Sequence, residues 1–461
     1  MPADTQSKYY EARKPEWEKI AAIVAGEEAV REAGEDYLPK LTGQSEREYD
    51  AYKARGSFFN ATARTLQGLT GAVMRRDPIV KVPEPMEALL DNVTLTGLSF
   101  TEAVRLCVSN VINYGYYGIL VDMPVGESDR PYMAPYSAFD ILNFRTKKVQ
   151  GEDVLTMLVL AEELVTPVGE DIFETETTEQ IRVLILEDGY VVVRLYQKDA
   201  KGTWYQVKNS KGEADIYPVA RGKRWTEIPF VFFGAVANLP IPPKPPLLDL
   251  ANLNIKHWQV NVDYYHGLHY CALPTPWAAG WPADSKLYIG PEKAWITEEP
   301  NAKAGYLEFT GAGLSAVRSA LDKLEGQMAV VGARMLEAQK RMAEAAETWK
   351  IRVSEDVANL NTIVGSVEGG FVNVLGYMAD WMGVSREGIE AELNRDFVSE
   401  KLDPQEIDTL LRALQAGEIS QDTFLHNLQM GEILPRGRTI DEEKDLIEAE
   451  GRESFTGGEG I

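Results

Sequence analysis

Asp263, His266 and His269 are the residues whose types and spacing come nearest to chemistry in this chain. Three apart on a helix, they share one face. With Cys271 close behind, they could offer ligands to a divalent cation. That defines one reading, a metal-dependent enzyme. The other is a set of half-buried side chains on a packed helix. A local cluster without a distant partner seldom completes a tetrahedral site, which favours packing and no metal. Three of the four histidines, His257, His266 and His269, lie on this one stretch. No G-x-x-x-x-G-K-S/T, H-E-x-x-H, G-x-S-x-G or C-x-x-C occurs, and Gly115 and Gly118 lack the third glycine of a dinucleotide loop. The expectation is a protein with no catalytic residues and no cofactor, not an enzyme.

Basic side chains are the next candidates. Arg75-Arg76 could meet an anion, but two cations at a helix C-terminus are already favoured by the helix dipole. Arg334–Arg352 holds Arg334, Lys340, Arg341, Lys350 and Arg352 against Glu337, Glu344 and Glu347, a local excess of +2. Taken alone, a solvated helix with pairs such as Glu337–Arg341 is the better explanation. The setting is unusual, because the whole chain of 461 residues carries a formal charge of −24. Such a surface repels a polyanion nearly everywhere, unlike the basic faces that grip nucleic acid. Solubility alone also explains the charge.

Hydrophobic content of 44% and charged content of 26% fit a globular protein of two or three domains. The longest apolar runs fall far short of the roughly 20 residues of a membrane span. The polar start MPADTQSKYYEARKPEWEK lacks the apolar core of a signal peptide. Cys107 and Cys271 make no disulfide framework and suit a reducing cytoplasm.

The elements that must position these residues follow from periodicity. Helices are expected over 15–33, 45–73 and 100–113, with a buried strand at Tyr114–Asp122. Antiparallel strands are expected at 141–144, 154–164, 181–186, 190–197 and 203–207, with a turn at Glu187-Asp188-Gly189. Five prolines among residues 239–246 form a stiff boundary. A helix then carries Leu248, Ala251, Ile255, Trp258, Val262, Tyr265 and His269 at alternating three and four. Leu314, Val317, Leu321, Leu324, Met328, Val331 and Met335 repeat that alternation. Each stripe alone fits an ordinary amphipathic helix; two stripes bracketing a small insert suggest shallow packing on helical neighbours. The insert holds Trp277, Trp281 and Trp295, with short strands expected at 286–289 and 294–297. It is too small to bury a core alone. A last long helix, 349–384, would run about 50 Å, with Gly365, Gly369 and Gly370 kinking it or admitting a close neighbour. Residues 386–461 carry 19 acidic and 8 basic side chains, with two short helices at 403–416 and 420–430 and disorder expected over 451–461.

The order of these parts resembles the portal (head–tail connector) proteins of tailed bacteriophages. Tyr37–Arg47 (YLPKLTGQSER), Ile141–Leu164 (ILNFRTKKVQGEDVLTMLVLAEEL) and Pro245–Leu253 (PPLLDLANL) are similar to phrases in a branch known as a phage domain of unknown function. The likeness extends to about Val384 and is weakest in the acidic C-terminal part. It implies an α+β fold of portal type: a wing (1–245), a first stem helix (246–270), a clip (271–310) and a second stem helix (311–333). A tunnel loop (334–348), a long wing helix (349–395) and a helical crown with a disordered tail (396–461) would follow. It implies a homo-oligomeric ring, usually of twelve, at one capsid vertex of the virion, assembled in the host cytoplasm with no membrane. Double-stranded DNA would pass through the channel during packaging and ejection. Partners would be the terminase large subunit, a head–tail adaptor, and the major capsid and scaffolding proteins.

Carried onto this sequence, Leu248, Ile255, Trp258, Val262, Leu314, Leu321, Leu324 and Met328 become stem-packing residues. Trp277, Trp281 and Trp295 become partner-binding candidates of the clip, and Arg334, Lys340 and Arg341 DNA-facing candidates. The alternatives are another structural virion protein (a tail or minor head component), the metal-dependent enzyme above, or a host cytoplasmic scaffold. The portal reading expects the apolar edges of the two stem helices to need neighbouring copies around an axis.

Overall fold

The computed structural model describes residues 3–122, 130–168, 171–199, 201–208, 212–272, 275–282, 284–288, 294–307, 311, 313–333, 346–397, 404–430, 433–434 and 440–456. The chain divides into two compact units, Met1–Arg395 and Asp396–Ile461.

The first unit opens with α1 (Lys8–Ala25), α2 (Glu27–Glu32), α3 (Glu46–Arg55), α4 (Ala61–Val73) and α5 (Phe100–Tyr114). The two long helices expected over 15–33 and 45–73 are each broken in two. Gly26 breaks the first at φ +114°, a backbone that side chains disfavour. Residues 56–60 break the second, and Asn60 restarts it by accepting from the Ala63 N–H at 2.9 Å. Capping boxes start α3 and α5: Ser45 and Ser99 accept from the third residue, and Glu48 and Glu102 accept from the serine N–H groups.

Two sheets follow. A short β1 (Ile79–Lys81) pairs late in the chain, as given below. β2 (Tyr116–Asp122) is central in a three-stranded antiparallel sheet, between β3 (Tyr132–Ser137) and a late strand, Phe230–Gly234. The second sheet is a meander in chain order: β4 (Ile141–Val149), β5 (Glu152–Val168), β6 (Asp171–Glu187), β7 (Tyr190–Lys198) and β8 (Trp204–Gln206). β5 and β6 are 17 residues each, far longer than the expected runs. A small hairpin of β9 (Val219–Ala220) and β10 (Lys223–Arg224) leads to the late strand, β11.

The three-stranded sheet is buried on both faces. On one, Tyr116 stacks on Trp17 of α1 with centroids 6.4 Å apart, and Phe232 stacks on Tyr116. On the other, Phe233 meets Phe371 at 5.2 Å, and Phe371 meets Phe100 edge-on at 5.3 Å. Arg182 ties the two sheets, donating to Glu162 at 2.6 Å and to Asp122 at 2.9 Å.

The proline-rich segment carries no helix or strand, and it is bonded near its start. Asn238 donates to the Ser366 carbonyl at 2.6 Å, and Tyr116 donates to the Pro240 carbonyl at 2.6 Å. Beyond it come α6 (Leu248–Ala272), a hairpin of β12 (Thr275–Ala279) and β13 (Lys303–Leu307), and α7 (Leu314–Met328). The hairpin strands lie at the two ends of the insert, and residues 286–288 and 294–297 carry none. The pairing strands are those nearest the rods, where chain reversal brings the ends together.

A π turn, Ala329–Ala333, closes α7. α8 (Ala346–Met382) is an unbroken helix. Gly370 admits the Phe233 ring, whose atoms would overlap a Cβ there. Gly370 therefore seats a side chain of β11 against the helix without interrupting it. β14 (Glu390–Glu392) then pairs antiparallel with β1.

The second unit holds α9 (Pro404–Gln415), α10 (Gln421–Met430) and α11 (Ile440–Thr456). α11 enters the stretch expected to be disordered. Asp441, Glu442 and Glu443 in its first turn complement the helix dipole. Lys444 bonds Asp422 of α10 at 2.7 Å.

Candidate assembly site: two rods and a hairpin

The first half of α6 is enclosed by its own chain. Leu248, Ala251, Ile255, Trp258 and Val262 are buried with Ile20, Ile23, Val30, Leu38, Tyr49 and Tyr52 of the N-terminal helices and the loop between them. Polar side chains fix this seat. Buried Asn254 accepts from the Thr62 N–H at 3.1 Å and donates to the Phe59 carbonyl at 2.8 Å. Asn261 accepts from the Ser57 N–H at 2.9 Å, and Gln259 donates to the Tyr37 carbonyl at 2.6 Å. These bonds satisfy the backbone of the 56–62 break.

The second half of the helix lies in a different environment. Tyr265 is 42% exposed and Tyr270 52%, and His269 is exposed. So the seam expected to need neighbouring copies divides: five positions close within the chain and the last two do not. Periodicity reports that a stripe is apolar, and the segments that cover it lie some 200 residues earlier in the chain.

The proposed metal ligands have other partners. Tyr52 donates to Asp263 Oδ1. Arg55 lies 3.1 Å from His266 Nδ1, and the Tyr52 and Tyr270 rings meet His266 edge-on at 5.0 and 4.8 Å. Burial lowers the His266 pKa below the ordinary histidine value, Arg55 and His269 add to this, and Asp263 opposes it. Among the described residues no group of three His, Cys, Asp or Glu side chains converges to hold a metal ion. Asp263 and His266 instead fasten α3 to α6.

α7 lies along α6. Leu321 and Met328 are buried, and Leu314, Val317 and Leu324 are half-buried. Gly267 of α6 faces the Leu314 side chain. Two polar contacts cross between the rods: buried His257 Nε2 lies 3.3 Å from Glu325 Oε1, and Arg318 hydrogen-bonds Tyr264. Neither pair was visible in the sequence, because local spacing carries no information on partners more than fifty residues apart. At its far end α7 enters the π turn, where Gly332 sits against Leu250 and Thr65 so closely that any Cβ would collide. Val330 and Val331 there are 52% and 49% exposed.

The hairpin module is thin and rich in exposed apolar side chains. Trp277 lies over Gly305 of the opposite strand and is 43% exposed. Trp281 lines an open depression with Gly280, Pro282 and Ile296. Trp295 donates to the Tyr288 carbonyl at 2.8 Å. Tyr288, Ile296, Tyr306 and Leu307 are all more than half exposed. Arg334, Lys340, Arg341 and Met335 lie outside the described residues. Cys107 is buried and free, and burial pushes its thiol well up; Cys271 is free and half-buried.

A family described as "Domain of unknown function (DUF4055)" matches residues 246–382, the stretch from the first rod to the end of α8. No curated protein matches the chain. Among solved structures, a chain from the neck of the empty GTA particle, computed with C6 symmetry, is 13% identical with a TM-score of 0.42, covering 86% of this chain and 95% of that one. A chain from the neck of the native GTA particle, computed with C12 symmetry, is 12% identical with a TM-score of 0.40, covering 89% of this chain and 99% of that one.

Proposed function

We propose that this protein is a phage portal: a ring of identical subunits at one capsid vertex, through which double-stranded DNA is packaged and ejected. The observation that carries the reading is the pair of rods with the exposed hairpin between them. Tyr265, Tyr270, Trp277, Tyr288, Ile296, Tyr306 and Leu307 present apolar surface from one short stretch of chain. Exposed apolar side chains concentrated in one short module mark a surface that meets another protein. Neighbouring copies around an axis would cover it, and each copy would then present the same faces to the next.

Three further features support the reading. The seat of α6 on the N-terminal helices buries one end of the rod and leaves Tyr265 and Tyr270 exposed at the other. Helix α6, the hairpin, α7 and the long α8 follow one another in the chain, as the sequence resemblance implies for stem, clip, stem and long helix. The net charge of −24 suits a wall along which DNA slides without registered phosphate contacts. In this reading the hairpin module meets the packaging motor and later the head–tail adaptor, with Trp277, Trp281 and Trp295 as contact candidates. Arg334, Lys340 and Arg341 are the channel candidates. Capsid and scaffolding proteins would meet the wing.

Electron microscopy of the purified full-length chain tests this directly. The expected images are rings with a central hole and the hairpin modules gathered at one end. A compact monomer at all concentrations would overturn the proposal.

A further inference from the structure

We propose that the distal half of the β5–β6 ribbon is an arm that docks on the β4 edge of a second copy of this chain. β4 pairs with β5 only as far as Leu160, and β7 pairs with β6 only from Gln180 onward. Past those points β5 and β6 continue together to Val168 and Asp171, and among the described residues no other strand pairs with them there. The free ribbon is about 20 Å long at the usual strand rise. Two strands alone are marginal in water and need a neighbour.

The ribbon carries acids on both faces, since paired positions share a side. Glu163 opposite Glu179, Val165 opposite Thr177 and Pro167 opposite Thr175 make one face, which Phe173 extends at 89% exposure. Leu164 opposite Thr178 and Thr166 opposite Glu176, with Glu174, make the other. Glu174 and Glu176 charge the second face toward its far end, and among the described residues no strand pairs with either edge there.

A matching surface lies at the other end of the same sheet. β4 is an edge strand, and Arg145, Lys147 and Lys148 on its outer half are exposed. Among the described residues none of the three has an ion-pair partner. Asp153 stands opposite Lys148 and Glu152 opposite Val149, but Arg145 and Lys147 face Met157 and Val154. The arm cannot reach this edge in its own chain. Thr146 pairs with Leu155 and Thr175 with Pro167, twelve residues apart on β5. That separates the two surfaces by about 40 Å. Complementary surfaces at opposite ends of one rigid sheet make a head-to-tail contact, which closes into a ring when the rotation allows. The proposal rests on the portal reading only in taking the second copy as the occupant.

The test uses full-length chain in a Cys271→Ser background, with Thr146→Cys and Thr175→Cys together and a short thiol cross-linker. The expected result is a ladder of linked subunits that neither single cysteine gives. Glu174→Lys with Glu176→Lys should weaken linkage about tenfold, and adding Arg145→Glu with Lys147→Glu should restore it. Rings by electron microscopy without a ladder would assign the arm to a different partner and overturn this proposal while leaving the portal reading intact. Monomers alone would overturn both. Loss on reversal without restoration by the swap would overturn docking through these charges.

Discussion

His266 shows how a residue that looked chemical acts mechanically. Its Nδ1 lies 3.1 Å from the Arg55 guanidinium, an arrangement that needs the neutral ring, because a protonated nitrogen has no lone pair to offer. The folded chain therefore holds the His266 pKa below 6.5, while the unfolded chain takes up its proton near that value. The stability this confers is present above pH 6.5 or so and is lost as the pH falls below it. Arg55 and His269 push the same way, and Asp263, itself held by Tyr52, pushes against them. Thermal melts at pH 7.5 and pH 5.5 should accordingly show a smaller acid-induced fall in His266→Gln than in the native chain. An equal fall in both would place the acid sensitivity elsewhere. Spacing revealed that Asp263, His266 and His269 share a helix face. It could not reveal that Tyr52 and Arg55 of a distant helix already occupy two of them.

At the scale of elements, local signals were legible and partners were not. The capping boxes at Ser45 and Ser99 are local signals that periodicity alone misses. The antiparallel meander and both apolar stripes follow from residue order alone. The break at 56–60 did not, because it depends on Asn254 and Asn261, some 200 positions later, taking up the freed backbone groups. The length of β5 and β6 was also hidden. Leu164, Val165 and Phe173 are too few to mark a strand against Glu163, Glu174 and Glu176, and pairing carries the ribbon past its apolar part. The glycines of α8 give a prediction at this scale. Gly370→Val would drive a side chain into the Phe233 ring and should cost about 1–3 kcal/mol in urea unfolding. Gly369, with nothing within 4 Å of its missing Cβ, offers the contrast. Gly369→Ala should stabilise the helix by up to about 1 kcal/mol. Equal effects at the two positions would mean that Phe233 does not seat there.

For the whole molecule, the portal reading links charge to assembly. No described helix is long and apolar enough to cross a membrane, and exposed apolar side chains occur on the hairpin module and the rod ends as well as on the β5–β6 ribbon and elsewhere. On the portal reading, a conduit for DNA needs an unfavourable wall with few cations at its narrowest point, and residues 334–352 carry a basic excess of +2 within an acidic chain. Charge reversal of Arg334, Lys340 and Arg341 together should leave ring assembly intact and reduce DNA packaging and genome retention. Unchanged packaging would remove these three from the channel.

The proline strut between β11 and α6 has a mechanical consequence. Asn238 and Tyr116 tie its start to α8 and β2, and Gly115 packs closely against Lys244, Pro245 and Pro246 at its far end, so five prolines leave the rod little slack. A load applied at the hairpin end would travel up α6 as along a lever. It would be shared between the N-terminal helices that seat the rod and the three-stranded sheet behind the strut.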